Sequence, residues 1–298
     1  MINKFLSSEE GEKLRKILNE SLETIQQYSG VVDIENKIPA NLLESLKKWG
    51  YYRLIISEKN GIGLTRIGLL YLSRVIARYS PAIALSIVSH HVIMEYVKEN
   101  NPQSYESIIQ DIIKEGSILA IGITEQTKNG SLIDIQTKLL KVKGDLLVKG
   151  SKDFVINAIY ADYFLLTCKN SGQGITVILL PKSQCIDIEP SLDLIGIRGA
   201  GISRIALKSC RVDEEHIIAK ENTINSVKKM ISMHRIYESA ILLGILDTAY
   251  REAFKWLYAE KTRGVNNISY KYTSQKLAES ACAIDFLWKR ILNITKLM

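Results

Sequence analysis

Residues 225–263 read as one continuous helical pattern, roughly 55 Å long at about 1.5 Å of rise per residue. Its centre confines polarity to a stripe of Asp247, Thr248, Arg251, Glu252 and Lys255. Ile241, Leu242, Ile245, Leu246, Ala249, Ala253, Phe254 and Leu257 fill the remainder. A second helical stretch, 272–296, follows a loop containing Gly264 and Asn266-Asn267. Two long helices with faces this wide cannot cover one another, so they need further helices from this chain or from a partner. The sequence ends at Met298 without supplying them. The expectation is a helical hairpin at 223–298 that forms a homo- or hetero-oligomer through these two helices.

The chain ahead of that hairpin changes period twice. Residues 1–116 read as helical. Ser7 and Glu10 have capping-box spacing for a helix running toward Tyr28. Pro39 opens a second helix, with Leu42, Leu43 and Leu46 on one face and Gly50 as its stop. A third carries Ile67, Leu70, Val75 and Ile76 until Pro81 forces a restart. Residues 82–97 are nearly all apolar and belong in the core, and a last helix spans 105–114 after Asn100-Asn101-Pro102. Residues 117–222 read instead as strands. Residues 140–149 alternate around Gly144-Asp145 as a hairpin, and 163–168 pairs with 175–180 across Asn170-Ser171-Gly172. Short strands at 186–188 and 204–207 complete one small barrel or sandwich. The fold class is therefore α+β: helical domain 1–116, β domain 117–222, long-helix hairpin 223–298.

Composition narrows the function. The 298 residues are 46% hydrophobic and carry a formal charge of +7. Lysine and arginine are scattered, and the densest group is Lys47-Lys48 before Trp49, so no nucleic-acid partner is expected. A polyphosphate ligand and plain solvated lysines both fit. Arg66, Arg74, Arg78 and Pro81 interrupt the most apolar segment, 64–97, which reads as buried helices and not a membrane span. Cys168, Cys185, Cys210 and Cys282 show neither metal-ligand spacing nor a disulfide framework, which makes a reducing, cytoplasmic compartment the default. His90 and His91 are adjacent, should point in different directions, and are not set up as metal ligands.

The middle region carries a resemblance. Residues 120–125 (A-I-G-I-T-E), followed by Gly130-Ser131, resemble the T-E-P-G-A-G-S-D loop of the acyl-CoA dehydrogenase family. Residues 149–157 (K-G-S-K-D-F-V-I-N) resemble its N-G-x-K-x-W/Y-I-T-N block. Residues 174–182 (G-I-T-V-I-L-L-P-K), 194–199 (L-I-G-I-R-G) and 208–217 (K-S-C-R-V-D-E-E-H-I) are similar to three further blocks in the family's order. The resemblance implies an N-terminal helical domain, a β-barrel and a C-terminal bundle cut short, with FAD and an acyl-CoA thioester held between them. It implies cofactor contacts from Thr124, Glu125, Phe154, Val155 and Ile156, and from Lys261 and Arg263 at a pyrophosphate, with Ser131 and Arg235 toward substrate. Thr124 also reads as a strand-edge threonine bonded to backbone, and Phe154 as a core residue. Asn157 and Arg198 keep the family pattern and equally serve to hold loops.

Several positions depart from the pattern. Residues 126–130 (Q-T-K-N-G) replace a glycine-rich loop that lets backbone approach a ligand. Ile156 stands where the family has threonine and offers no side-chain hydrogen bond. Gly264-Val265 replaces a Phe-Gly pair. Some family members place a catalytic glutamate early in the first bundle helix, directly before an arginine. His234-Arg235 stands there, and imidazole is a side chain suited to proton transfer near neutrality, although a lone helical histidine also serves structure. The implied activity is FAD-dependent α,β-dehydrogenation of an acyl-CoA thioester, as in fatty acid metabolism, with a second subunit completing the site. Alternatives are a non-catalytic binding or assembly subunit and a flavin monooxygenase on the same fold.

Overall fold

A computed structural model describes residues 6–57, 59–126, 132–172, 174–220, 223–262 and 268–298, with backbone alone at 133, 260–262, 268 and 269. The described helices begin with α1 (Ser8–Glu35), α2 (Ala40–Lys48), α3 (Arg66–Ile76), α4 (Pro81–Asn100) and α5 (Pro102–Glu115). Ser7 caps α1 by accepting from the Glu10 backbone N–H at 3.1 Å. The expected reciprocal bond is absent, because the Glu10 carboxylate reaches instead to Thr65, accepting from its N at 2.7 Å and its Oγ1 at 2.8 Å. That carboxylate ties the start of α1 to the start of α3. Helix α1 also continues seven residues past Tyr28, ending where Asn36 turns left-handed at φ 53°.

Helix α4 is apolar all round because it is covered all round, packing on α3, α5 and the sheet. Strands β1 (Leu119–Gly122), β2 (Lys138–Val142), β3 (Asp145–Val155), β4 (Tyr163–Lys169), β5 (Ile175–Pro181), β6 (Ile186–Ile188), β7 (Ser203–Arg211) and β8 (Ile217–Ala219) form one sheet. Its order is β6-β7-β3-β2-β4-β5-β8, with β1 parallel to β4 and bridged to the end of β3 through Ile121 and Ile156. Both hairpins fall where the alternation and turn residues put them. Strands β4 and β5 read as apolar runs because both faces are buried: Phe164, Leu166, Ile178 and Leu180 fill the β core, while Leu165, Val177 and Leu179 join the helical core. Antiparallel β6 and β7 bring Cys185 and Cys210 to a Cα separation of 5.4 Å, and the two form a disulfide. The sequence reading of no disulfide is thereby overturned, and cysteine usage no longer argues for a reducing compartment. Among the described residues, no helix is long and apolar enough to cross a membrane.

The chain closes with α6 (Thr223–Thr262) and α7 (Ile268–Leu297). The first half of α6 packs on α3 and α4. Asp247 takes hydrogen bonds from Arg74 of α3 and from Arg78 just past its end at 2.7–3.1 Å, so the Asp247–Thr248 end of the polar stripe faces protein, while Arg251, Glu252 and Lys255 are exposed. Leu242, Ile245, Leu246 and Phe254 are left exposed. The expected α+β architecture, helices then sheet then long helices, is what the structure has. One contact sets the α3–α6 spacing: a Cβ on Gly244 would lie 2.4 Å from the Arg74 carbonyl oxygen and 2.8 Å from Ala77 Cβ. Helix propensity alone would favour alanine by about 1 kcal/mol. A backbone atom cannot yield as a side chain can, so Gly244→Ala should instead lose about 1–3 kcal/mol, read as a lower urea midpoint.

Candidate functional site

Where β1 runs on into residues 123–126, the chain is clamped to the end of β3. Asp153 N donates to the Thr124 carbonyl at 2.9 Å, and Gln126 N donates to the Asp153 carboxylate at 2.8 Å. The β3–β7 register slips between Lys152 and Val155, a bulge that re-aims the side chains around it. Val155 is fully buried, whereas Phe154 is 55% exposed with φ 54°. A left-handed phenylalanine costs about 1–3 kcal/mol and persists only where its surroundings impose it, which marks the place as a candidate site.

Phe154 opens into a cleft of about 180 Å³ between this strand end and α6. Ile121, Ile123, Ile156 and Ile231 give it apolar walls, and Thr124, His234, Arg235 and Glu238 add polar groups. Five of the residues singled out in the sequence, Thr124, Phe154, Ile156, His234 and Arg235, therefore meet in one place. Val155 points into the β core. Ile156 brings no polar side-chain atom to the cleft, and its backbone N–H is already engaged with the Ile121 carbonyl at 3.3 Å. Ser131 and Arg263 lie outside the described residues, as does the side chain of Lys261. Asn157 and Arg198 hold loops: Asn157 Nδ2 donates to the Ser86 and Leu119 carbonyls, and Arg198 Nε donates to the Asp33 carbonyl at 2.8 Å.

Glu125 turns away from the cleft. Its carboxylate accepts 2.6 Å from Lys152 Nζ, and also from the backbone N–H groups of Gln136 and Thr137. Burial alone would raise its pKa, but the neighbouring ammonium overrides burial and holds it below the usual carboxylate range. Lys152 is fully buried, donates to Thr167 Oγ1 at 3.0 Å, and burial pulls its own pKa down. The structure thus gives Glu125 a loop-anchoring position rather than one facing the cleft.

On α6, His234 is nearly buried and engaged on both sides. Its Nε2 lies 2.8 Å from Ser89 Oγ of α4, and its Nδ1 lies 3.2 Å from Glu238 Oε1 one turn along. The hydrogen bond from His234 lowers the Glu238 pKa, against burial and with help from Arg235. Sequence reasoning missed Glu238, although its spacing of four from His234 puts both on one helix face. It missed Lys152 and Ser89 for want of any local signal. A larger cleft of about 680 Å³ lies between α5 and β5 and contains none of the singled-out residues.

Residues 120–210 match the family model of the acyl-CoA dehydrogenase middle domain. Isovaleryl-CoA dehydrogenase, mitochondrial, of Arabidopsis thaliana is 21% identical over 274 residues, covering 88% of this chain and 67% of that protein. The butyryl-CoA dehydrogenase structure from Megasphaera elsdenii superposes with a TM-score of 0.86 at 17% identity, covering 98% of this chain and 80% of that one. A structure described as an FAD-dependent dehydrogenase superposes with a TM-score of 0.82 at 15% identity, covering 99% and 80%.

Proposed function

We propose, from the match of residues 120–210 to the acyl-CoA dehydrogenase middle domain and from the shared fold, that the chain is a member of that family which binds FAD and dehydrogenates an acyl-CoA thioester at the α,β bond. The observation that carries this reading is the cleft in which an outward Phe154 and an exposed Thr124 face His234, Arg235 and Glu238 across apolar walls. An exposed aromatic ring in a strained conformation suits a flat ring system, and Thr124 offers a hydroxyl at its edge. At about 180 Å³ the cleft is small beside the several hundred Å³ of ordinary cofactor sites, so it holds the reacting parts alone. Phe154, Thr124 and Ile156 would hold the flavin ring, Lys261 and Arg263 its pyrophosphate, and Arg235 and Ser131 the thioester. Bound flavin supplies a two-electron acceptor for the β-hydride. The protein supplies orientation, the apolar wall that excludes water, and a base for the α-proton.

Purified protein should carry, or take up, FAD with its visible absorbance, and an acyl-CoA should bleach that absorbance under anaerobic conditions. Protein that binds no FAD, alone or with a co-expressed subunit, ends the enzymatic reading. A non-catalytic binding or assembly subunit would then stand. Ile156 favours that alternative, because its side chain has no hydrogen bond to offer a ligand and its backbone N–H is taken by Ile121. Reduced flavin that reacted with oxygen and a co-substrate would point to a monooxygenase instead.

We also propose association through α6 and α7. Leu242, Trp256, Tyr258, Tyr272 and Phe286 are each 60–62% exposed, and aromatic groups gathered on two helices mark an interaction surface. Sedimentation at micromolar concentration should show a homo-oligomer or, with a partner subunit, a hetero-oligomer. A strictly monomeric species in both cases would refute it.

A further inference from the structure

The helical register places two candidate bases in the cleft, one turn apart, and their hydrogen bonds distinguish them. A carboxylate only accepts, so the 3.2 Å contact to Glu238 Oε1 makes His234 Nδ1 an N–H donor. In the neutral ring Nε2 is then the acceptor, and it lies 2.8 Å from the hydroxyl of Ser89. Both ring nitrogens are spent inside the protein. Ser, His and Glu in this order resemble the relay of a hydrolase, but Ser89 is fully buried and does not line the cleft. Glu238 is different: its side chain is 43% exposed and lines the cleft, and only one of its two oxygens contacts His234.

Resting on the dehydrogenase reading, we propose that Glu238 is the catalytic base, and that His234 is a positioning residue held by Ser89. The free Glu238 oxygen takes the proton from the α-carbon of the thioester. The electrons of that C–H bond become the new α,β double bond as the hydride leaves the β-carbon for oxidised flavin. The products are the enoyl thioester, reduced flavin and protonated Glu238. Arg235, beside the carboxylate, and the His234 N–H keep it ionised until substrate arrives. A thioester covering the cleft then strips water from the carboxylate and raises its proton affinity.

The test uses the FAD-loaded protein and Glu238→Gln, Glu238→Asp and His234→Gln. Glu238→Gln should keep its flavin spectrum, and the spectral shift on adding acyl-CoA, while anaerobic reduction slows by about 10³-fold. Glu238→Asp keeps the charge but retracts it by one methylene, and should fall between wild type and Glu238→Gln. His234→Gln should slow reduction by only about tenfold. Independently of flavin, imidazole ¹⁵N shifts should show His234 protonated at Nδ1 in the wild type. Glu238→Leu should move that signature. Glu238→Gln that reduces within threefold of wild type overturns the assignment, as does a larger loss in His234→Gln, or a wild-type ring protonated at Nε2. Wild-type protein that holds no flavin, or is not reduced, overturns the dehydrogenase reading and this assignment with it.

Discussion

Lys152→Met should destabilise the folded protein by about 3–5 kcal/mol, seen as a lower urea midpoint with an unchanged slope. The ammonium of Lys152 is wholly buried, with Glu125 Oε1 at 2.6 Å and Thr167 Oγ1 at 3.0 Å. Taking both charges out of water offsets most of what their contact returns: burial pulls the Lys152 pKa down, although the ammonium in turn holds Glu125 low. The pair is therefore expensive to break rather than a net source of stability. Methionine fills a similar volume but abandons the Glu125 carboxylate in the interior, with only the Gln136 and Thr137 N–H groups for company. Lys152→Met combined with Glu125→Leu should recover part of the loss. Full recovery is not expected, because those two backbone donors would then lack their acceptor. A double variant less stable than Lys152→Met alone would contradict the argument. Glu125 follows Thr124, and Lys152 lies two residues before Phe154, so both ends of the clamp adjoin the cleft. Loss of the clamp should also weaken FAD binding, measured by titration at a urea concentration where the variant is still folded.

That clamp also shows where the sequence stops being readable. The long helices and both hairpins were legible because a period of 3.6 or 2 is carried by neighbouring residues. The family blocks were legible because they are local, and they led to Thr124, Phe154, Ile156, His234 and Arg235. What decides their roles is not local. Lys152 and Glu125 are 27 residues apart, Ser89 and His234 are 145 apart, and Cys185 and Cys210 meet only because β6 pairs with β7. Phe154 reads as a strand residue, and nothing in K-D-F-V announces the bulge that turns its ring outward while Val155 goes in. Glu238 is the exception. Its four-residue spacing from His234 was available in the sequence and carries the same geometry that the structure shows.

The adjacent His90 and His91 should make the fold sensitive to mild acid. They do not diverge as neighbouring positions on a helix suggest. Their ring centroids lie 5.0 Å apart, and their Nε2 atoms reach the carbonyls of Tyr52 and Tyr51 at 3.0 and 2.9 Å. The His90 Nδ1 accepts from Leu119 N at 3.1 Å, so the pair joins α4 to β1 and to the turn after α2. Both rings are fully buried, and burial pushes both pKa values down, His91 to about 4 and His90 well below 6.5, the latter also repelled by its neighbour. Below about pH 6.5 the unfolded chain binds two protons that the folded chain refuses, so stability is present above that pH and is lost as the pH falls. The slope is about 1.4 kcal/mol per pH unit for each ring, or roughly 2–4 kcal/mol for the pair between pH 7 and 5. Glu125, Glu238 and Asp247 have lowered pKa values and lose their contributions only in more acid solution. Glu95, raised by burial, works in the opposite direction. Urea midpoints measured at steps from pH 7 to 5 should therefore fall steadily, and His91→Leu should lower stability at pH 7 while halving the slope. Midpoints that stayed level across this interval would mean that the imidazoles take up protons without unfolding, and that the contact between α4 and β1 is looser than its hydrogen bonds indicate.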